Sequence, residues 1–117
     1  MTQYLAGPTV TRMLAEMGAD IIKVERVPYG DPTRNYAIVH ESGRSGYFVQ
    51  QNRGKKSLCI DFDHPKGQQI LKDLLKEADV FVENYGPGVL ERRGTAQHLC
   101  QATSHALNVS LRPWIEL

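Results

Sequence analysis

The chain has little cysteine and no long hydrophobic run, and both shortages restrict what it can be. Its two cysteines, Cys59 and Cys100, are too few for a disulfide scaffold and do not have the spacing of a CxxC metal pair. No apolar run approaches the roughly 20 residues of a membrane helix, and no basic stretch followed by an apolar core begins the chain. This pattern predicts a protein of a reducing compartment, which we expect to be the cytoplasm.

The chain also lacks an excess of charge of either sign. Lys and Arg total 14 against 13 Asp and Glu, which provides no broad positive field for nucleic acid or an anionic membrane. The four histidines show no paired spacing with cysteine or carboxylates on a common face, so we expect no metal site. Hydrophobic residues make up 41% of the chain, as in ordinary globular proteins, and any anion site should therefore be local.

The first half of the chain predicts a helix, a strand and a long loop. A helix is expected after the break at 7–8, because apolar residues recur at helical spacing on one face: Val10, Met13, Leu14 and Met17. Gly18 should end this helix. Residues 20–25 are apolar and β-branched at their centre, which predicts a buried strand with an exposed charged end. From 26 to 46, Pro and Gly interrupt every periodicity, which indicates a loop long enough to have a binding role.

The second half predicts further strands and helices in alternation. Residues 56–62 alternate between apolar and polar, and Pro65 follows a helix cap at Asp63 or His64. The helix after it has an apolar stripe made of Ile70, Leu71, Leu74 and Leu75. Residues 79–83 predict a third strand, followed by a turn at 84–88 and a short helix at 89–92. A helix at 97–107 and a strand at 107–111 complete the predicted elements.

This alternation of strands and helices indicates the fold class. Strands separated by helices form βαβ units, so we predict an α/β fold with a mostly parallel sheet and flanking helices. Ligands on such sheets bind beyond the carboxyl ends of the strands. The segments that open at Arg26 and Asn84 are therefore the first places to look for a site.

Five blocks of sequence, in matching order and spacing, carry a resemblance to a known family. The blocks are LAGP at 5–8, LA at 14–15 with GADIIKVER at 18–26, GDPTR at 30–34, NRGKKS at 52–57 and DVFVENYGPGVL at 79–90. Together they closely resemble the class III CoA transferases, a family that includes formyl-CoA and carnitine CoA transferases and the related α-methylacyl-CoA racemases. The resemblance covers roughly residues 3–94, and five blocks in register are far more specific than any one of them.

The resemblance implies a fold, a substrate and a partner. The large domain of the family is Rossmann-like, and its two chains interlock as a homodimer. By resemblance, residues 1–94 form the CoA-binding part of such a large domain, which is incomplete here, and residues 95–117 form a divergent tail. Coenzyme A, carried as acyl-CoA, and a carboxylic acid are the implied substrates, with no metal, nucleic acid or membrane involved.

The resemblance also implies a set of residues that contact CoA. Arg26, Asn84, Tyr85 and Arg92 match CoA contacts of the family, Leu5 and Ala6 match the backbone near the thioester end, and Ile60 matches the adenine region. Each has a simpler interpretation as well, since a strand-end arginine is often solvated and an Asn-Tyr pair often serves a turn.

A few polar residues near these positions have a weaker claim. Asp63 departs from the basic residue that some family members have there. A basic group, made of Arg34, Arg53, Lys55 and Lys56, has the charge to neutralise phosphates, but such runs are usually solvated faces. We rank this group below Arg26 and Arg92.

No catalytic residue is assigned. The family forms its acyl intermediates on an aspartate, which lies beyond position 117 in the matching pattern, and no aspartate of this chain occupies its motif. We therefore expect a CoA-binding N-terminal fragment of a CoA transferase that is inactive alone, from a truncated or frame-shifted gene. The alternatives are a fragment similar to α-methylacyl-CoA racemase and a non-catalytic remnant or binding module.

Overall fold

The structure is a computed structural model that describes residues 1–36, 43–86, 88–92 and 107–110. The chain divides into two compact units, Met1–Cys59 and Ile60–Leu117. In the described part of the chain, no helix is both long and apolar enough to cross a membrane.

The first unit combines two helices, a 3₁₀ helix and two paired strands. Helix α1 spans Ala6–Glu16, strand β1 spans Ile21–Arg26, the 3₁₀ helix spans Pro32–Asn35, helix α2 spans Gly46–Asn52, and strand β2 spans Lys55–Ile60. Strands β1 and β2 are hydrogen-bonded neighbours. Helix α1 and strands β1 and β2 correspond to the helix and the two strands that the sequence predicts in this part of the chain.

The buried face of α1 differs from the predicted one. Met13 is 53% exposed and Met17 is 83% exposed, although both belong to the apolar face that the spacing defines. The buried residues are instead Gly7, Pro8 and Thr11. Small residues let the first turn of α1 pack closely. The predicted helix is therefore present, and of its apolar face only Val10 and Leu14 are half-buried.

Strand β1 also buries charge that the sequence analysis places at an exposed end. Lys23 and Glu25 are each only 4% exposed, whereas Ile22 is 44% exposed. The expectation of an exposed charged end is therefore correct for Asp20, before the strand, and for Arg26, at its end, both of which are exposed, and it is wrong for Lys23 and Glu25. Buried charges require partners, and the turn after β1 supplies them.

The segment predicted as a long loop contains local structure at both of its described ends. The Asp31 side chain caps the 3₁₀ helix by accepting a hydrogen bond from the Thr33 N–H. At the other end, the Ser45 side chain caps α2 by accepting from the Phe48 N–H. Helix α2 has no counterpart among the predicted elements. Residues 37–42 of the predicted loop lie outside the described residues.

The second unit contains two helices and a parallel pair of strands. Helix α3 spans Pro65–Lys76, strand β3 spans Val80–Glu83, helix α4 spans Val89–Arg92, and strand β4 spans Leu107–Ser110. β3 and β4 pair in parallel, with Val80 opposite Leu107 and Glu83 opposite Ser110. The parallel pairing agrees with an incomplete α/β fold. The helix predicted at 97–107 falls almost wholly outside the described residues.

Helix α3 begins and packs as its sequence predicts. The His64 Nδ1 atom accepts a hydrogen bond from the Lys66 N–H at 3.1 Å, and Pro65 occupies the first turn. Leu71 and Leu75 are each 3% exposed, while Ile70 is 46% exposed. The apolar stripe is thus buried on the side of Leu71 and Leu75.

Candidate functional site

The N-terminal end of α1 holds two of the predicted contact residues, Leu5 and Ala6. Leu5 is the residue before the helix and makes no capping hydrogen bond with its side chain. Its side chain is 54% exposed, and Ala6 is exposed too. The first N–H groups of a helix have no partner within the helix. A backbone contact to a ligand is therefore compatible with this end of α1.

Arg26 lies at the carboxyl end of β1, where it leads into a tight turn. The Gly30 N–H donates to the Arg26 carbonyl oxygen at 2.8 Å, and Gly30 has a φ of +67°. A Cβ atom there would lie 3.0 Å from Glu25 Oε1, so the turn depends on glycine for both its conformation and its space. An exposed guanidinium at a strand end has the charge and the donors that a phosphate group requires.

The buried carboxylate of Glu25 accepts hydrogen bonds from residues of this turn and of the 3₁₀ helix that follows it. Its Oε1 accepts from the Asp31 N–H and the Arg34 Nε, both at 2.9 Å, and its Oε2 accepts from the Arg34 Nη2 at 2.6 Å. Ser57 Oγ lies 3.3 Å from Oε2. Burial works against the charge of this group, but the hydrogen bonds outweigh burial and hold the pKa of Glu25 below its usual value.

A second buried pair, Lys23 and Asp31, lies beside the first. Lys23 Nζ donates to Asp31 Oδ2 at 2.8 Å and to the Thr2 carbonyl oxygen at 2.9 Å. Asp31 Oδ1 accepts from the Thr33 N–H at 3.0 Å and from the Thr33 hydroxyl at 2.8 Å. Burial opposes the Asp31 charge, yet the bonds from Lys23 and Thr33 prevail and lower the pKa of Asp31. The two carboxylates together fix the path from β1 to the 3₁₀ helix.

Lys55 ties the start of α1 to the end of α2. Its Nζ donates to the carbonyl oxygens of Pro8 and Gln51, each at 2.8 Å, and to Asn52 Oδ1 at 2.9 Å. Burial and the charge of the nearby Lys23 lower the pKa of Lys55 to about 7. The Lys55 side chain is thus bound within the unit, whereas the sequence suggests a basic residue on a solvated face.

The other members of the basic group each have a carboxylate partner. Arg34 binds Glu25, as described above. Arg53 pairs with Glu16 at the surface, and Lys56 pairs with Asp20 at 2.7 Å where both side chains are exposed. Exposed pairs of this kind contribute little to stability. The charge of each of these residues is therefore partly balanced by a carboxylate of the same chain.

In the second unit, the chain turns sharply after Ile60. Ile60 is only 7% exposed, so little of this residue is open to a ligand in the structure. Asp63 is exposed, and its N–H donates to Asp61 Oδ1 at 2.9 Å. A Cβ atom on Gly67 would lie 1.8 Å from the Asp61 carbonyl oxygen. The turn therefore packs directly on the first part of α3.

Asn84 and Tyr85 follow the carboxyl end of β3, as predicted. Both are half-buried, and the Tyr85 N–H donates to Glu83 Oε2 at 2.8 Å. Glu83 is itself 7% exposed, so the start of the turn is hydrogen-bonded to a buried carboxylate. Arg92 is the last residue of α4, and its side chain lies outside what the structure describes.

The predicted contact residues thus divide between the two units. Leu5 and Ala6 share the first turn of α1, and Arg26 ends β1 in the same unit. Ile60 ends β2, and Asn84, Tyr85 and Arg92 lie within one short segment after β3. Arg26, Ile60 and Asn84 lie at or just beyond the carboxyl ends of strands, where ligands bind on open α/β sheets. Among the described residues, no cluster of three or more His, Cys, Asp or Glu is arranged to hold a metal ion.

The buried charged network next to Arg26 could not be predicted from the sequence. Its four charged members are Lys23, Glu25, Asp31 and Arg34. The signal for it lies in the GDPTR block, where Asp31 can accept hydrogen bonds from the backbone two residues on. That Lys23 and Glu25 point inward could not be read from the strand pattern, because such residues are usually exposed.

Helices combined with a parallel pair of strands place the protein in the α/β class, and comparison with known proteins gives the family. A sequence model of CoA-transferase family III matches residues 1–109. The chain belongs to CoA-transferase family III. This confirms the resemblance seen in the five sequence blocks.

Curated relatives of this chain are named CoA-transferases. A formyl-CoA:oxalate CoA-transferase of Bradyrhizobium sp. (strain ORS 278) is 43% identical over 109 residues, which cover 93% of this chain and 26% of the relative. A succinyl-CoA:glutarate CoA-transferase of Mus musculus is 45% identical over 94 residues, covering 80% of this chain and 22% of the relative. The chain therefore spans about a quarter of the length of the curated relatives it matches.

Solved structures agree with the fold. A CAIB/BAIF family protein from Brucella suis is similar with a TM-score of 0.84 and 38% identity, covering 94% of this chain and 30% of that chain. Rv3272 from Mycobacterium tuberculosis is similar with a TM-score of 0.84 and 32% identity, over 97% of this chain and 31% of that chain. The α/β prediction is confirmed as an incomplete version of this fold.

Proposed function

We propose that these 117 residues form a CoA-binding half-site of a class III CoA transferase and do not perform CoA transfer by themselves. The observation that carries this is the placement of the family-matched residues at element ends, within a chain that belongs to the family. The full reaction would move CoA between an acyl-CoA and a free carboxylate.

The chemistry of the described residues supports CoA as the ligand. CoA carries a pyrophosphate and a 3′-phosphate, which require cationic partners and free N–H donors. Arg26 is an exposed guanidinium at a strand end, and the start of α1 has no side-chain cap. The buried carboxylates of Glu25 and Asp31 hold the turn that follows Arg26 through hydrogen bonds to its backbone.

A CoA titration with two variants tests the binding part of the proposal. We expect the intact chain to bind CoA saturably in isothermal calorimetry, and Arg26→Gln to weaken binding about tenfold or more, since a charged hydrogen bond is lost. Lys76→Gln is the matched control, because it removes the same charge from an exposed surface pair with Asp73. Equal affinities in wild type and Arg26→Gln would contradict the assignment of Arg26.

An exchange assay tests the catalytic part separately. The purified chain, incubated with an acyl-CoA and an isotopically labelled carboxylate, should produce no labelled acyl-CoA, because no nucleophilic aspartate of the family motif is present among these residues. Measurable exchange that depends on the chain would show that a nucleophile has been missed. The homodimer expected for the family belongs to the same proposal and is measured by sedimentation equilibrium.

The transferase assignment is preferred to the racemase alternative. Relatives of this chain include formyl-CoA:oxalate and succinyl-CoA:glutarate CoA-transferases. Their names support transfer between acyl-CoA and a carboxylate as the reaction of the longer protein. Both reactions use CoA thioesters, so the CoA titration applies to either.

A further inference from the structure

A cavity of about 540 Å³ opens in the first unit, lined by residues of the 3₁₀ helix, α2 and β2. Pockets for small organic ligands usually have volumes of about 300–1,000 Å³, so this one is large enough for a metabolite. Leu5, Ala6 and Arg26 are not among its lining residues. The cavity is therefore separate from the residues of this unit that we propose for CoA.

The charged side chains among the described lining residues of the cavity are all arginines. Arg34, Arg44 and Arg53 line it, and the described lining residues include no carboxylate. Arg34 directs its Nε and Nη2 atoms to Glu25, which leaves its remaining nitrogen for another partner. Arg44 makes no hydrogen bond or ion pair with any residue in the described part of the chain. An anion in the cavity would give Arg44 the partner that the described residues do not.

The cavity lining also includes two apolar side chains, Phe48 and Val49, and the hydroxyl groups of Ser45 and Ser57. The Phe48 ring lies 3.9 Å from the Arg34 guanidinium carbon, which stacks over it, and Val49 is 47% exposed. Ser45 is 1% exposed and accepts a hydrogen bond from the Phe48 N–H, so its own O–H remains able to donate. The wall thus matches a molecule with an anionic group and a compact carbon skeleton.

We propose that this cavity binds a small organic oxyanion, a carboxylate or a phosphate ester. Its anionic group pairs with Arg44 and the outer nitrogen of Arg34, because guanidinium groups bind planar and tetrahedral oxyanions with two parallel hydrogen bonds. Its skeleton lies on Phe48 and Val49. The proposal does not rest on CoA binding and applies to the 117-residue chain as it stands.

NMR titration of the intact chain with four simple probes tests the ligand class. The probes are benzoate, acetate, phenyl phosphate and inorganic phosphate, with sodium chloride at matched ionic strength as the reference. We expect saturable shifts at Ser45, Phe48, Val49 and the Arg44 Nε–H, and tighter binding of the aromatic probes than of acetate and inorganic phosphate. The benzoate and phenyl phosphate affinities then say which oxyanion is preferred. Shifts that chloride reproduces, or that spread over the whole surface, would overturn the proposal.

Variants that leave the fold intact test the assigned residues. Arg44→Gln removes a side chain that is exposed and without a described partner, and it should weaken the aromatic probes about tenfold. Val49→Glu places a carboxylate at the rim and should weaken binding more than Val49→Gln, which has the same size without the charge. Lys76→Gln should change affinity less than twofold. If Lys76→Gln and Arg44→Gln lowered the affinity for the probes equally, the loss would follow from net charge alone, and the proposed site would be wrong.

The same variants separate this site from CoA binding. Arg26→Gln should bind benzoate or phenyl phosphate as the wild type does, and Arg44→Gln should bind CoA as the wild type does. Displacement of the aromatic probes by CoA would show one shared site and contradict the separation. Failure of CoA to bind, with the probes still bound, would refute the proposed function and leave this cavity supported.

Discussion

At the scale of single residues, the buried pair of Lys23 and Asp31 is the most consequential contact. The two side chains are 3% and 0% exposed and lie 2.8 Å apart. Removing one partner of such a pair leaves an uncompensated buried charge, which usually costs about 3–5 kcal/mol. We expect Asp31→Asn to lower the free energy of unfolding by about that amount, measured by urea denaturation followed by circular dichroism.

The matched control for Asp31→Asn is Asp73→Asn in α3. Asp73 pairs with Lys76 at 2.7 Å, but both side chains are more than half exposed. Exposed pairs contribute about 0–1 kcal/mol, so this variant should be close to wild type. Equal stability of the two variants would contradict the importance of the buried network.

Lys55 supports a second prediction at the residue scale. Burial and the Lys23 charge lower its pKa from 10.5 to about 7, so the folded chain binds fewer protons than the unfolded chain between these two values. Stability should therefore rise with pH across this window, and Lys55→Met should flatten the rise. The direct measurement is a titration of the Lys55 Cε chemical shift. A midpoint near 10.5 would show that its three oxygen partners offset its burial.

At the scale of elements, the sequence predicts where helices and strands lie better than it predicts which of their faces are buried. Strand and helix positions follow from periodicity and caps, as in α3, where Pro65 and His64 mark the start. The buried face of α1 does not follow, because periodicity identifies apolar residues and not the neighbour that covers them. That neighbour is α2, which Thr9 contacts through a 2.9 Å hydrogen bond to Gln51. Since α2 itself was not predicted, its effect on α1 could not be.

The same reasoning applies to the candidate site. The positions of Arg26 and Asn84 at strand ends could be predicted, because both follow short apolar runs that end in turn residues. The inward direction of Glu25 could not. It depends on Arg34, nine positions away, and on a turn whose shape requires the positive φ of Gly30.

The turn before α3 yields a prediction at the element scale. Gly67 lies inside the helix, where alanine normally adds about 1 kcal/mol of stability. Here the new Cβ would lie 1.8 Å from the Asp61 carbonyl oxygen, and backbone must move to admit it. We expect Gly67→Ala to lower the melting temperature, through overpacking that typically costs about 1–3 kcal/mol. Lys66→Ala, at an exposed position of the same helix, should leave the melting temperature unchanged. A Gly67→Ala protein that melts at or above the wild-type temperature would contradict this close approach.

At the scale of the whole molecule, membership of the family does not mean that the chain contains every part of its relatives. The chain matches CoA-transferase family III over residues 1–109, yet it spans about a quarter of its curated relatives. These residues contain a set of strand and helix ends, a hydrogen-bonded turn and a cavity lined by arginines. Ligand binding is therefore the property to measure first, and the absence of CoA transfer by these residues alone remains a proposal.

The stability of the whole chain should fall steeply in acid. Glu25 and Asp31 are buried, but hydrogen bonds from Arg34 and Lys23 hold their pKa values below 4.5 and 3.8. As the pH falls below these ordinary values, the unfolded chain takes up protons before the folded chain does, so the free energy of unfolding decreases until both groups are protonated in both states. Asp31→Asn should remove part of this dependence and Asp73→Asn much less, because Asp73 is exposed. Urea denaturation at a series of pH values measures both slopes, and parallel slopes for wild type and Asp31→Asn would mean that the acid sensitivity originates elsewhere in the chain.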